Sequence, residues 1–445
     1  MIRTMAKLSR AVARTTKLRP NSFGFSSSFL QRPPVFTRLI HSQFNASNAN
    51  PVAIQMINYA LSHARSQKSD DSYGQGLLVL EQCLSTQPSE GQASDVDDTK
   101  GMIFMAMSTL LSERFNYKWD IFLRGNFDEA IEKLQGIQDL QSSSIGLRVA
   151  ALEALVGLHL ELGQDDTSSM VADKCLDILG ENGTQFSRGV NEVLIARAKA
   201  AKGLNELVCG NIQSAESFFH VPEDSKGLAV GAKLSCGEFL HTIQNFSLAK
   251  ELYQNVIQQL SENKYCINSN TLAACNMSME EVLLSATCAL GQVEAQLGNF
   301  GHAEEILTKA LTNAEEHFGS HHPKVGVVLT CIALMFRRKA VQEHSSSLLI
   351  QEGLYRRAIE LLKAPPLETE GADAKVARCD IMALARGGYA EALSVQQNRK
   401  DQGERMKSWA EAAWRNRRLS LAEALEMSEP SSKSLVIDTR ISRVL

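Results

Sequence analysis

The chain has 445 residues, of which 44% are hydrophobic, 6% aromatic and 22% charged. That balance excludes a collagen-like repeat, a disordered chain and a membrane bundle, and the length allows a large core or several stacked units. The formal net charge of −4 hides an uneven distribution.

No acidic residue precedes Asp70, whereas Arg3, Lys7, Arg10, Arg14, Lys17, Arg19, Arg32 and Arg38 lie within residues 1–44. Serines 9, 22, 26, 27, 28 and 42 share the same stretch. An Arg-rich, Ser-rich, acid-free start is the composition of an organelle transit peptide. A cationic amphipathic helix is expected over Ile2–Leu18, with Met5, Leu8, Val12 and Ala13 on its apolar face. Arg38-Leu39-Ile40-His41-Ser42 resembles a mitochondrial cleavage pattern, which places the cut near Ile40. The expectation is a mitochondrial protein, of the matrix, with a plastid as the alternative. Residues 1–44 carry eight cationic and no acidic side chains, so the chain without them has a net charge of −12. Such a body repels nucleic acid phosphates, so no nucleic acid partner is expected.

The rest of the chain reads as successive helices. Between Pro88 and Pro222, and again between Pro222 and Pro323, there is no proline, and Ala, Leu, Glu, Gln and Lys are abundant. The most apolar stretch, Ile145–Leu162, is interrupted by Arg148, Glu153, His159 and Glu161, so no membrane span is expected. The nine cysteines contain no C-x-x-C pair and are odd in number, which suits buried thiols in a reducing compartment.

Six segments share a joint: a turn residue, usually Gly, then usually Asn or another small or polar residue, an aromatic or Ile, two variable positions and Ala. They start at Gly125, Gly210, Gln244, Gly298, Gly353 and Gly387, and their alanines are 130, 215, 249, 303, 358 and 392. A Gly or Asn in the left-handed region closes one helix, the aromatic opens the next, and Ala lets the two approach. Small residues stand upstream, at Gly203, Gly237 and Gly291. A weaker unit is expected at Gly163 and a degenerate first one over Ile57–Pro88. Ala215 to Ala249 and Ala358 to Ala392 are each 34 residues apart. Longer intervals elsewhere imply loops or longer helices near Glu262–Met279 and Gln342–Leu349.

This joint and its period resemble the tetratricopeptide repeat. Phe318-Gly319-Ser320-His321-His322-Pro323 is similar to the Gly-x-x-His-Pro turn of the longer repeats of kinesin light chains. The resemblance implies an all-α, right-handed superhelical solenoid of stacked antiparallel helix pairs over residues 45–395. Residues 396–428 are expected to form a C-terminal capping helix, long over Lys407–Met427, and residues 429–445 a tail. Arg415, Arg417 and Arg418 are expected on a solvated face.

No phosphate-binding loop, nucleophile elbow or zinc-protease helix is present. His317 and His321 lack Cys or carboxylate companions at ligand spacing and are read as part of a turn. No catalytic, cofactor-binding or metal-binding residue is assigned, and no enzyme activity is expected. Phe115, Trp119 and Phe122 are read as packing between helices. The expected function is a non-enzymatic interaction scaffold or assembly factor that binds a peptide or helix of a protein partner in its groove. Arg197, Leu204, Leu234, Glu238 and Gln292 are the groove candidates, and the first helices lack the Lys/Asn set of a chaperone carboxylate clamp. The alternatives are a pentatricopeptide-like organellar RNA-binding protein or a regulatory subunit of a mitochondrial enzyme.

Overall fold

The computed structural model describes residues 50–87, 93–114, 121–181, 188–219, 229–262, 278–345, 347–368, 377–426 and 433–445. The expected transit peptide and the positions of Phe115 and Trp119 lie outside these residues, as does the side chain of Phe122.

Seventeen α-helices occur among the described residues, and sixteen of them pack as consecutive pairs. The pairs are α1 (Pro51–Gln67) with α2 (Asp70–Ser85), α3 (Ala93–Glu113) with α4 (Ile121–Gln138), and α5 (Ile145–Glu161) with α6 (Asp165–Glu181). Next come α7 (Arg188–Val208) with α8 (Ile212–Phe218), α9 (Val230–Thr242) with α10 (Phe246–Glu262), and α11 (Met279–Gln296) with α12 (Phe300–Phe318). The series ends with α13 (Pro323–Gln342) on α14 (Leu348–Leu361), α15 (Cys379–Ser394) on α16 (Lys400–Ala413), and the short α17 (Leu421–Leu425). This is an all-α solenoid. Among the described residues no helix is long and apolar enough to cross a membrane.

Four turns within pairs share one physical device. Gly163, Gly210, Gln244 and Gly298 have φ of 71°, 80°, 65° and 82°. In each, the next residue's N–H reaches a carbonyl five positions back, as in Asn211 to Glu206 (2.8 Å) and Asn299 to Glu294 (2.9 Å). That bond satisfies an orphan helix-end carbonyl. The Gly-Asn dipeptide has a further reason: Asn211 and Asn299 donate their side-chain amides to Glu206 and Glu294 at 2.9 and 2.8 Å. The His-Pro turn works as the resemblance implies. Gly319 ends α12 with φ 94°, the His322 ring accepts from the Lys324 N–H at 3.1 Å, and Pro323 opens α13.

The other three expected joints are not turns. Gly125, Gly353 and Gly387-Gly388 lie inside α4, α14 and α15. At Gly387 a Cβ would stand 2.8 Å from Leu425, and one at Gly388 would overlap Tyr355, so these glycines admit neighbouring side chains. Consequently Ala358 sits in the second helix of its pair and Ala392 in the first of the next. Their 34-residue spacing is not a repeat period. The long interval before Ala358 has two sources. Helices α12 and α13 have 19 and 20 residues, and Ala358 stands deep in α14 whereas Ala303 stands in the first turn of α12. Gln342–Leu349, the expected place of an insertion, holds only the short link between α13 and α14. The region 263–277, where the other long interval falls, lies outside the described residues.

Two expectations for the end of the chain are corrected. The single long helix over Lys407–Met427 is two, because the chain turns at Trp414–Ser420. There the Trp414 ring N–H donates to the Leu419 carbonyl (2.6 Å), and Asn416 accepts from the N–H groups of Arg418 (2.9 Å) and Leu419 (2.8 Å). Residues 433–445 are no free tail. They form a hairpin, β1 (Ile437–Asp438) against β2 (Arg443–Val444), whose every residue from Val436 to Leu445 is buried.

The hairpin occupies the inside of the solenoid, and the solenoid closes around it. Lys68, just after α1, donates to the carbonyl of Glu316 in α12. Arg378, entering α15, pairs with Glu161 of α5 at 2.8 Å, and its N–H reaches the Glu161 carbonyl at 3.0 Å. Both contacts join helix pairs five apart in the series.

Candidate functional site

The inner face of a stacked-pair solenoid is lined by the first helices of successive pairs, so their polar residues are the natural ligand contacts. Here such residues, joined by Asp165 at the start of the second helix α6 and by Asn416 and Arg418 after α16, grip the hairpin in two ways.

The first is backbone reading. Gln292 of α11 donates to the Ile437 carbonyl at 2.9 Å and accepts from its N–H at 2.8 Å. One turn further on, Gln296 donates to the Leu435 carbonyl (2.7 Å) and accepts from the Ser434 hydroxyl (2.6 Å). Lys324 of α13 donates to the carbonyls of Thr439 (2.7 Å) and Arg440 while facing Glu281 at 3.3 Å. Burial, against the pull of Lys324, raises the Glu281 carboxyl to about 7. Asn416 and Arg418 hold the carbonyls of Val444 (2.8 Å) and Leu445 (2.6 Å). Arg418, expected on a solvated face with Arg415 and Arg417, is thus turned inward; burial lowers it to about 10.

The second is a pair of arginine sites. Arg440 is completely buried, bound to Glu238 of α9, to Asp438 beside it (2.9 Å) and to Ser235 (3.1 Å). Burial works against its charge, but Asp438 and Glu238 hold the guanidinium above its ordinary value. Arg443 meets both oxygens of Asp165 at the start of α6 (2.8 and 3.2 Å) and Asp380 at the start of α15 (2.6 Å). It also donates to the Leu160 carbonyl at 2.7 Å. Acids in the first turns of α6 and α15 are favoured by the helix dipoles, and the bidentate fork matches guanidinium to carboxylate. Ser285 ties the two sides together, donating to Asp438 at 3.0 Å.

Apolar residues complete the seat. Val436, Ile441 and Leu445 join a cluster with Leu204, Leu207, Phe219 and Phe239, while Ile437 and Val444 join the cluster around Cys288, Cys331 and Leu384.

The structure brings three of the five groove candidates to this seat. Glu238 and Gln292 touch the hairpin directly, and Leu204 lies in its apolar cluster. Arg197 instead pairs with Glu153 (Nε to Oε2, 3.0 Å), and Leu234 packs with Ala249 and Tyr253. Sequence reasoning missed Asp165, Lys324 and Asp380, which sit at helix starts, and missed Arg440 and Arg443. A signal was present. Leu435-Val436-Ile437 is an apolar run, with Ile441, Val444 and Leu445 beyond it, and Arg440-x-x-Arg443 falls among them.

The seat holds the backbone of a hairpin and two arginine side chains. Burial raises the nearby Cys236 to about 11 and Cys331 to about 12, so both remain thiols at neutral pH. Among the described residues, no group of three or more His, Cys, Asp or Glu has a metal-binding arrangement.

No family model matches the chain, and no curated protein does. Among solved structures the chain is similar to the crystal structure of BtubC (BKLC) from P. vanneervenii, at 12% identity and a TM-score of 0.37, over 55% of this chain and 89% of that one. The fold and the occupied groove define a helical-repeat protein whose own C-terminal hairpin fills its inner face.

Proposed function

We propose that this protein is a non-enzymatic interaction scaffold or assembly factor of the mitochondrial matrix, which holds a segment of a protein partner in the groove of its solenoid. The observation that carries this reading is the two-point contact of Gln292 with the peptide group of Ile437, inside a groove that also presents Gln296, Lys324 and two carboxylate sites. Side chains that satisfy main-chain donors and acceptors recognise a peptide as such, whatever its sequence. The mitochondrial part of the proposal rests on the acid-free, Arg- and Ser-rich residues 1–44. The acidic charge of the remainder, with Glu238, Asp165 and Asp380 in the groove, weighs against an RNA ligand.

Affinity purification from mitochondria, with the chain from residue 45 onward as bait, is expected to retain a protein partner through stringent washing. Recovery of no stable protein, or salt-sensitive recovery of RNA instead, would sink the reading. A fluorescent protein carrying residues 1–44 should enter mitochondria; a diffuse cytosolic signal would refute the compartment.

A further inference from the structure

We propose that the groove recognises a hairpin-forming segment bearing two arginines three residues apart behind a carboxylate, and that Ser434–Leu445 is a built-in ligand of this chemistry which a partner segment displaces. This deepens the scaffold reading and rests on it.

Three features separate the hairpin from ordinary core. Its main chain is read by side chains. Gln292, Gln296, Lys324, Asn416 and Arg418 all bond to its peptide groups, and another chain folded into the same hairpin can offer the same groups. Its strand ladder is closed on itself, Ile437 with Val444 and Asp438 with Arg443, so its departure breaks no helix. Its selectivity resides in charge. Glu238, Asp165 and Asp380 come from three separate helices and converge on Arg440 and Arg443.

Buried ion pairs are a poor way to stabilise a permanent core, because well-packed apolar residues of similar volume do as well or better. They are a good way to choose a ligand. Once the hairpin leaves, three carboxylates line the vacated groove, and a replacement that covers them without arginines buries them unpaired. A replacement with the Asp-x-Arg-x-x-Arg order of Asp438, Arg440 and Arg443 restores each pair. The intact chain holds its own segment at high effective concentration, so the partner must compete with it.

The test uses the full chain with a protease recognition sequence replacing residues 429–431, so that cutting frees Lys433–Leu445 from its tether. The probe is a fluorescent synthetic peptide with this chain's own sequence from Lys433 to Leu445. After cutting, the probe should exchange into the groove with unchanged helical circular dichroism. A probe carrying Arg440→Gln and Arg443→Gln should bind roughly 100-fold more weakly, since truncating partners of buried charge pairs has effects of this order. The uncut chain should bind the probe about 100-fold or more weakly than the cut one, the expected size of a tether effect.

A second variant covers the case in which the cut chain does not stay folded. Arg443→Gln in the uncut chain loosens the resident hairpin and should raise probe affinity at least about 30-fold, the effect of about 2 kcal/mol lost by the competitor. The proposal is overturned if the segment stays in place under excess probe, if helical signal disappears as it leaves, or if both probes bind alike. It is also overturned if the cut chain forms a hairpin-swapped dimer that excludes the probe. A mitochondrial partner retained equally by cut and uncut chains would leave the scaffold reading standing and remove this one.

Discussion

Arg440 shows how much one side chain can decide. It is fully buried with Glu238 and Asp438, and Asp438 is fixed by Ser285. Replacing it by Gln leaves two buried carboxylates without their cation, a change that costs about 3–5 kcal/mol for buried pairs. Urea titration should register this as a lowered midpoint with an unchanged slope. Joint replacement of Arg440 by Met, Glu238 by Gln and Asp438 by Asn should be much milder, because no buried charge of the cluster is then stranded. A single substitution as mild as the triple one would mean that water reaches the cluster. His241 makes a second prediction, about pH. Its ring is enclosed between Gln296 (3.2 Å) and the Tyr253 hydroxyl (3.3 Å), and burial lowers it from 6.5 to about 3. Below 6.5 the unfolded chain takes up a proton that the folded one refuses, so the contribution of His241 is full above 6.5 and is lost as pH falls towards 3. At about pH 5 the loss is about 2 kcal/mol, from 1.36 kcal/mol per unit. His241→Gln should therefore narrow the difference in unfolding free energy between about pH 7.5 and about pH 5 by about that amount. An equal difference in both proteins would show that the ring protonates in place.

At the scale of the elements, three pairs repeat one contact. Gly203 faces Phe219, Gly237 faces Tyr253 and Gly291 faces Leu307, each partner sixteen residues further along. A Cβ on Gly291 would stand 2.6 Å from Leu307, and one on Gly237 would stand 2.7 Å from Tyr253. Gly291→Ala should thus destabilise by about 1–3 kcal/mol through overpacking, although Ala is the better helix former. Gly301→Ala, in the open first turn of α12, should instead stabilise by about 0.4–1 kcal/mol. Calorimetry on the two variants should show opposite shifts in Tm, and shifts of the same sign would contradict the packing assigned to Gly291. These small positions were legible because Gly203, Gly237 and Gly291 precede the joints at Gly210, Gln244 and Gly298 by a constant interval. The joints at Gly353 and Gly387 were misread because a glycine that ends a helix, one that lies in open space within a helix, as Gly353 does, and one that admits Leu425, as Gly387 does, look alike in a short window. Only the next layer of structure separates them. The groove shows the same boundary. Glu238 and Gln292 could be found from their register on a first helix. Asp165, Lys324 and Asp380 gain meaning only from a segment that returns over a hundred residues away in most cases, and local periodicity carries no such information.

The whole molecule departs from an open solenoid, in which each repeat touches only its neighbours and stability is a sum of local terms. Lys68 with Glu316 and Arg378 with Glu161 join pairs five apart, and Arg443 alone connects Asp165, Leu160 and Asp380. The hairpin also donates Ile437 and Val444 to one apolar cluster and Val436, Ile441 and Leu445 to another. Contacts of such long range couple distant repeats, so the described body should unfold as one cooperative unit despite its length. In urea, circular dichroism and tryptophan fluorescence should follow coincident curves for the full chain. Removing residues 434–445 takes away the central tie while leaving the helix pairs their neighbours. The two curves should then separate, with hydrogen exchange accelerating first in α5, α9, α11 and α15, which lose their contacts to the hairpin. Coincident curves in the shortened chain would mean that the helix pairs alone carry the cooperativity.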